Sequence, residues 1–281
     1  MPTAFVGETR LPKNFKRYAR QFSMLELDCE PGSVPGKERL AACAREAPEG
    51  FVFSLVVPSR VARLEPGPEV EKALKSAQTA ARLLGAKWWV VRTPAEVRPT
   101  RRSREALGAL AQRLGEGGMR VAWEPRGVWD EAAAADAAAE LGIAFVQDIA
   151  REVPRAGRVL YSRLLAVGKG GRIGLSLADL IAERMRSYEE AFVVVEGHGA
   201  RDIQQALGIA RDDAELDAEL AALGASAPLA AGAAHAAGED DDDLDEGDDD
   251  GELGADADAA DDDFADADDD ELEDEDEDEA P

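Results

Sequence analysis

Along the first 211 residues two hydrophobic periods alternate eight times, and few folds accommodate that pattern. Short β-branched and aromatic runs read as strands at residues 4–6, 24–27, 51–57, 88–92, 120–123, 144–146, 159–164 and 192–195. Between them, apolar residues recur at i, i+3, i+4 and i+7, the spacing that lines one face of a helix. Phe15, Tyr18, Ala19 and Phe22 form one such stripe, and Val70, Leu74, Ala77, Ala81 and Leu84 a second. Leu107, Leu110, Ala111 and Leu114 repeat it, as do Leu177, Leu180, Ile181 and Met185. Ser176, three residues before Asp179, has capping-box spacing and marks a start for the last helix. Gly85, Gly117-Gly118 and Gly142 follow helical stretches, where a left-handed residue ends a helix. The strands are apolar almost throughout, as parallel strands covered on both faces must be. Eight such units predict an α/β fold of the (β/α)8, TIM-barrel-like class, with an open doubly wound sheet as the competitor. One unit is irregular: residues 149–157 contain Pro154 and are too few for a full helix.

Charge divides the chain. Its 281 residues hold 32 Lys and Arg against 59 Asp and Glu, but Arg211 is the last base. Residues 1–211 are net +6 and residues 212–281 net −33, so the barrel domain is mildly basic. Three regions follow: the domain at 1–211, an Ala/Gly-rich linker at 212–238 and an acidic tail at 239–281. The tail has too little apolar surface to offset its chain entropy and is expected to be disordered, serving solubility or contacting basic partners. An acidic globular protein, a coiled coil, a collagen-like chain and a disulfide scaffold are excluded by this composition. Cys29 and Cys43 have no metal-site spacing, the N-terminus lacks a signal-peptide pattern, and no apolar run approaches a membrane span. A cytoplasmic protein with reduced thiols and no membrane contact is expected. Truncation after Gly224 takes the net charge from −27 to +1. It should leave the melting temperature unchanged and tighten binding to DNA or heparin at low salt, where screening is weak. Equal polyanion binding by both forms would leave solubility as the tail's only role.

In a parallel barrel all strand C-termini open onto one face, which hosts the site. Glu8, Glu26, Asp28, Arg60, Arg92, Glu124, Arg126, Asp148, Tyr161, Arg163, Glu196 and His198 fall at or near those ends. Among them Glu26 and Glu124 are the candidate general acid or base. Arg126, Trp129, Arg163 and His198 are candidate ligand contacts, the guanidiniums gripping phosphate or carboxylate through paired hydrogen bonds. The loop Gly168-Lys169-Gly170-Gly171-Arg172 follows the seventh strand, where barrels often bind phosphate, and adds Lys169 and Arg172. No metal or other cofactor is expected: His198 and His235 are the only histidines, and the arginines compete for the carboxylates. The basic stretches 13–20 and 98–104 lack interleaved aromatics, so they read as solvated helix faces and not as a nucleic-acid surface.

Five segments in order resemble the YecE-like proteins (domain of unknown function 72), a TIM-barrel family. RYARQFSMLEL at 17–27 is similar to the family's helix leading into a strand that ends E-I-N, and PEGFVFSLVVP at 48–58 to its P-x-x-F-x-F-x-V-K-x-P strand. VAWEPRGVW at 121–129 resembles V-E-F-R-x-x-S-W, and YSRL at 161–164 resembles Y-V-R-L-H-G. His198-Gly199-Ala200 with Gln205-Ala206 resembles the closing G-x-A-x-x-N-A. Glu26, Glu124, Arg126, Trp129 and Arg163 keep the family pattern, whereas Asp28 replaces an Asn, Leu165 a His and Glu196 an Asn. The family's suggested kinship with phosphodiester-cleaving repair barrels implies a His-rich metal cluster, for which this chain lacks the histidines. The resemblance implies an uncharacterised barrel that binds or processes a small anionic ligand. The alternative is a catalytically degenerate scaffold. Either way, Glu26, Glu124, Arg163 and His198 should meet on one face.

Overall fold

Eight parallel strands close into a ring in chain order, with β8 hydrogen-bonded back to β1. They are β1 (Thr3–Glu8), β2 (Met24–Asp28), β3 (Val52–Val56), β4 (Trp88–Thr93), β5 (Arg120–Pro125), β6 (Ala144–Gln147), β7 (Val159–Leu164) and β8 (Glu190–Val195). The helices are α1 (Phe15–Gln21), α2 (Lys37–Glu46), α3 (Ser59–Ala62), α4 (Pro68–Leu84), α5 (Arg101–Gly115), α6 (Glu131–Glu140), α7 (Leu175–Met185) and α8 (Ala200–Leu207). This computed structural model describes residues 3–164, 173–212, 214 and 218, all in the first of the chain's two compact units. The acidic tail with its expected disorder, and the loop residues Lys169 and Arg172, lie outside the described residues. No described helix is long and apolar enough to cross a membrane.

The two-residue alternation of each strand sorts the core into two layers. Leu25, Leu27, Phe53, Leu55, Trp89, Val91, Trp123 and Leu160 face outward, beneath the helices. Met24, Val52, Val56, Trp88, Val90, Ala122, Val146, Tyr161, Phe192 and Val194 fill the ring. Adjacent Trp88 and Trp89 therefore serve different layers. Each fully buried Leu, Val or Phe contributes about 1.5–3 kcal/mol, so both layers are needed to hold the ring closed. At the N-terminal end Arg120 pairs with Glu190 at 2.7 Å and lies 4.2 Å over the Trp88 ring, which stoppers that end with a neutralised cation.

The local chemistry sets the boundaries. Gly85 ends α4 in the left-handed conformation, at φ 61°. α7 begins two residues earlier than the Ser176 capping box predicts: Gly174 is its cap and no side chain bonds there, so Ser176 lies inside the first turn. Between β6 and β7 there is no helix. Three side-chain bonds tie down that stretch instead: Arg184 Nη1 donates to the Ile149 carbonyl, Tyr188 Oη to the Arg155 carbonyl, and the Arg155 N–H to Gln147 Oε1.

Candidate ligand site at the barrel mouth

Residues two apart on a strand point the same way, so the inward row of each strand continues upward into the mouth. Above Met24 on β2 come Glu26 and Asp28; above Val90 on β4, Arg92; above Ala122 on β5, Glu124; above Tyr161 on β7, Arg163. Four strands that are far apart in sequence thus deliver these five ionisable groups to one end.

Arg163 is their centre. It is buried, donates from Nε to Glu26 Oε1 at 2.8 Å and from Nη1 to Glu124 Oε2 at 2.7 Å. Burial by itself would lower the pKa of this guanidinium, but Glu26 and Glu124 outweigh it and hold it above the ordinary arginine value. Glu26 is only 1% exposed, and its second oxygen accepts from Tyr161 Oη at 2.8 Å. Tyr161 in turn shares a 2.6 Å hydrogen bond with Ser54 Oγ, level with Glu26 on the neighbouring β3. Burial, then the Glu26 charge, raises the Tyr161 phenol well above its usual value, so it stays a neutral donor. Both Glu26 oxygens are engaged.

Glu124 faces three guanidiniums. Besides Arg163, Arg126 Nη2 lies 3.4 Å from its Oε1 and Arg92 Nε 3.1 Å from its Oε2. The Arg92 contact is close but misaligned, and its buried Nε has no hydrogen-bond partner. Burial, then the nearby Arg163 charge, lowers the Arg92 pKa from the ordinary arginine value. Arg126 is aimed by a tight turn: its N–H bonds the Thr93 carbonyl, and Gly127 at φ 83° packs against Ala95, where a Cβ would lie 2.7 Å from the Ala95 Cα. Asp28 is a further carboxylate at this end and makes no ion pair among the described residues; its Oδ1 accepts the Glu30 N–H. Its side chain is exposed at the end of β2, and partial desolvation there raises its pKa against the opposing pull of the Glu30 N–H, Arg92 and Arg163.

Two expected contacts stand apart from this cluster. Trp129 packs edge-on to Trp123 and donates its indole N–H to the Val97 carbonyl at 2.7 Å, so its polar edge is bonded within the protein. His198 lies in the loop after β8, beside Glu8 at the end of β1, where both line a cavity of about 390 Å³ with Tyr18. Burial raises the Glu8 pKa and His198 partly offsets the rise. Among the described residues no three or more His, Cys, Asp and Glu side chains are grouped to hold a metal ion. Arg92 and Tyr161, which the strand ends place at the mouth without a ligand role, and Ser54, which they do not place there, belong to the network. The signal was the strand parity itself, which puts Arg92 inward above Val90 and Ser54 level with Glu26.

The model of the family described as "protein of unknown function DUF72" matches residues 4–159. A DUF72 family protein from Enterococcus faecalis is 16% identical with a TM-score of 0.57, the match covering 74% of this chain and 98% of that one. A DUF72 family protein from Thermotoga maritima is also 16% identical, with a TM-score of 0.49 over 78% of this chain and 99% of the other. No curated protein matches the chain.

Proposed function

Because the chain belongs to the DUF72 family, which has no assigned function, its role must be read from the mouth, and we propose that the mouth binds a small phosphate- or carboxylate-bearing ligand. The observation that carries this reading is Arg92: a half-buried arginine whose buried Nε has no hydrogen-bond partner, held 3.1 Å from a carboxylate that two other arginines already share. A buried donor without a partner costs free energy, and an anion seated between Arg92 and Arg126 would satisfy it. Arg163 would act as the fixed centre of the site. Of the two glutamates expected to exchange protons, Glu124 is the one a ligand would meet. Glu26 sits behind Arg163 with both oxygens engaged, a placement that suits positioning.

The scaffold reading has its own support. The Glu26–Arg163–Glu124 chain is satisfied without a ligand, and the His and Asn of the family pattern are replaced at Leu165 and Glu196. A thermal-shift screen with phosphorylated and carboxylated metabolites separates the two. The ligand reading expects stabilisation by members of one class, with affinity for the best of them falling roughly 10- to 100-fold in Arg92→Ala. A panel without a stabilising compound, or an Arg92→Ala variant that binds as well as wild type, overturns the ligand reading and leaves the scaffold.

A further inference from the structure

Outside the ring, between α2 and α4, lies a cavity of about 760 Å³. That volume falls within the range of small-molecule sites. α4 lines it with Ala73, Ser76, Thr79 and Ala80, positions where longer side chains would close the gap against α2. Cys29, Leu40, Ala73 and Ala80 are its buried lining, and Val34 is half-buried beside them. No aromatic ring is among the residues that line it, so nothing there stacks on a base.

The rim is cationic. Lys37 at the start of α2, Arg60 on α3, and Lys72 and Lys75 on α4 face a single lining acid, Glu69, which lies 3.7 Å from Arg60. Lys37, Lys72 and Lys75 are exposed and have no ion partner within 4 Å among the described residues. Glu71, whose charge reaches Lys75, is held by two hydrogen bonds from Arg113. Asp28 and Glu30 lie near Cys29 without lining the cavity, and Glu30 accepts the Ser59 N–H. Burial, then those two charges, push the Cys29 thiol up to about 12, so it stays neutral and adds no anion. Along α4, Ala80 stands about 12 Å beyond Lys72, at 1.5 Å per residue. The groove is therefore charged towards the start of both helices and apolar further along.

We propose that this groove is a binding site for a single-chain amphiphilic anion, with a phosphate or carboxylate head among Lys37, Arg60 and Lys72 and an aliphatic body along Leu40, Ala73 and Ala80. Charge complementarity selects the head, and the aliphatic floor selects the body. The larger apolar side chains, Val34 and Leu40, are sunk between the helices, which suits a free molecule and not a membrane surface. The lining shares no residue with the mouth network, so the inference does not rest on the reading of the mouth.

The test is calorimetry on the full chain with octyl phosphate below its micelle-forming concentration, in about 0.15 M salt to screen the acidic tail. Octyl phosphate should bind at least tenfold more tightly than inorganic phosphate or octanol. Hexyl phosphate should bind roughly tenfold more weakly than octyl phosphate, the effect of two fewer buried methylenes. Lys72→Glu combined with Lys75→Glu should weaken octyl phosphate tenfold or more, and Ser76→Trp, at an exposed position on the groove wall, should abolish its binding. Both variants should keep the wild-type melting temperature within a few degrees. Arg92→Ala should leave octyl phosphate binding unchanged, and any inorganic phosphate binding it removes belongs to the mouth. Equal affinity for octyl and inorganic phosphate, or octyl phosphate binding that both groove variants retain, overturns the site. So does binding to phosphatidylglycerol vesicles without binding of octyl phosphate, which would mark a membrane surface. Loss of octyl phosphate binding in Arg92→Ala, with both groove variants unaffected, overturns the groove while supporting the mouth.

Discussion

Replacing Arg163 with alanine should lower the melting temperature by roughly 6–20 °C, the equivalent of about 3–5 kcal/mol in a domain of this size. The side chain is 5% exposed and its partner Glu26 only 1%. Removing it leaves the Glu26 carboxylate buried without a counter-charge, and desolvating an unpaired charge is far more costly than losing a surface pair. Two comparisons make the measurement specific. Arg101, paired with Glu105 on the exposed face of α5 and itself 93% exposed, should cost less than about 1 kcal/mol on the same substitution. The double variant Arg163→Met with Glu26→Leu should recover most of the loss, because an apolar pair of similar volume carries no desolvation penalty. A drop of only a degree or two in Arg163→Ala would show that Glu26 is compensated by something other than this ion pair.

Gly7→Ala should be at least as damaging, costing about 3 kcal/mol or more and reducing soluble yield. Gly7 pairs with Met24 where β1 meets β2, and a Cβ there would lie 2.0 Å from the Met24 carbonyl oxygen. That oxygen is backbone, and it also accepts the Tyr18 hydroxyl at 2.8 Å, so it cannot move aside without undoing the α1 packing. Gly36→Ala, with nothing within 4 Å of the added carbon and ordinary backbone angles, is the control and should change stability by less than about 1 kcal/mol. Equal melting curves for the two variants would mean that the β1–β2 seam relaxes freely.

Much of this architecture is legible in the residue pattern because it rests on periodicity. All eight strands fall where β-branched and aromatic runs stand, and Pro154 marks the one crossover without a helix. The meeting of Glu26, Glu124 and Arg163 follows from strand ends sharing one face. What the pattern hides is the pairing among groups that all reach that face. Nothing local distinguishes Glu26, wholly engaged by Tyr161 and Arg163, from Asp28 two residues on, which has no cation partner. Trp129 illustrates the same limit. Its spacing after Glu124 and Arg126 suggests a ligand contact, whereas its indole bonds Val97 across the β4–α5 loop, a pairing set by two loops in space. The start of α7 lies two residues before the Ser176 pattern because Gly174 caps it through backbone conformation, leaving that pattern unused.

A closed ring has no outer strand to fray, so it comes apart at its weakest joint. One thin joint in this molecule is β6, four residues long, with two paired positions on each side and no helix following it. The Glu124–Arg163 bridge reaches from β5 to β7 directly over that short strand. It is therefore a clasp as well as part of the mouth's lining, holding together two strands that β6 alone would join by only a few hydrogen bonds. An anion that draws Arg163 away from Glu124 would pull on the clasp, and one that settles on Arg92 and Arg126 would leave it fastened.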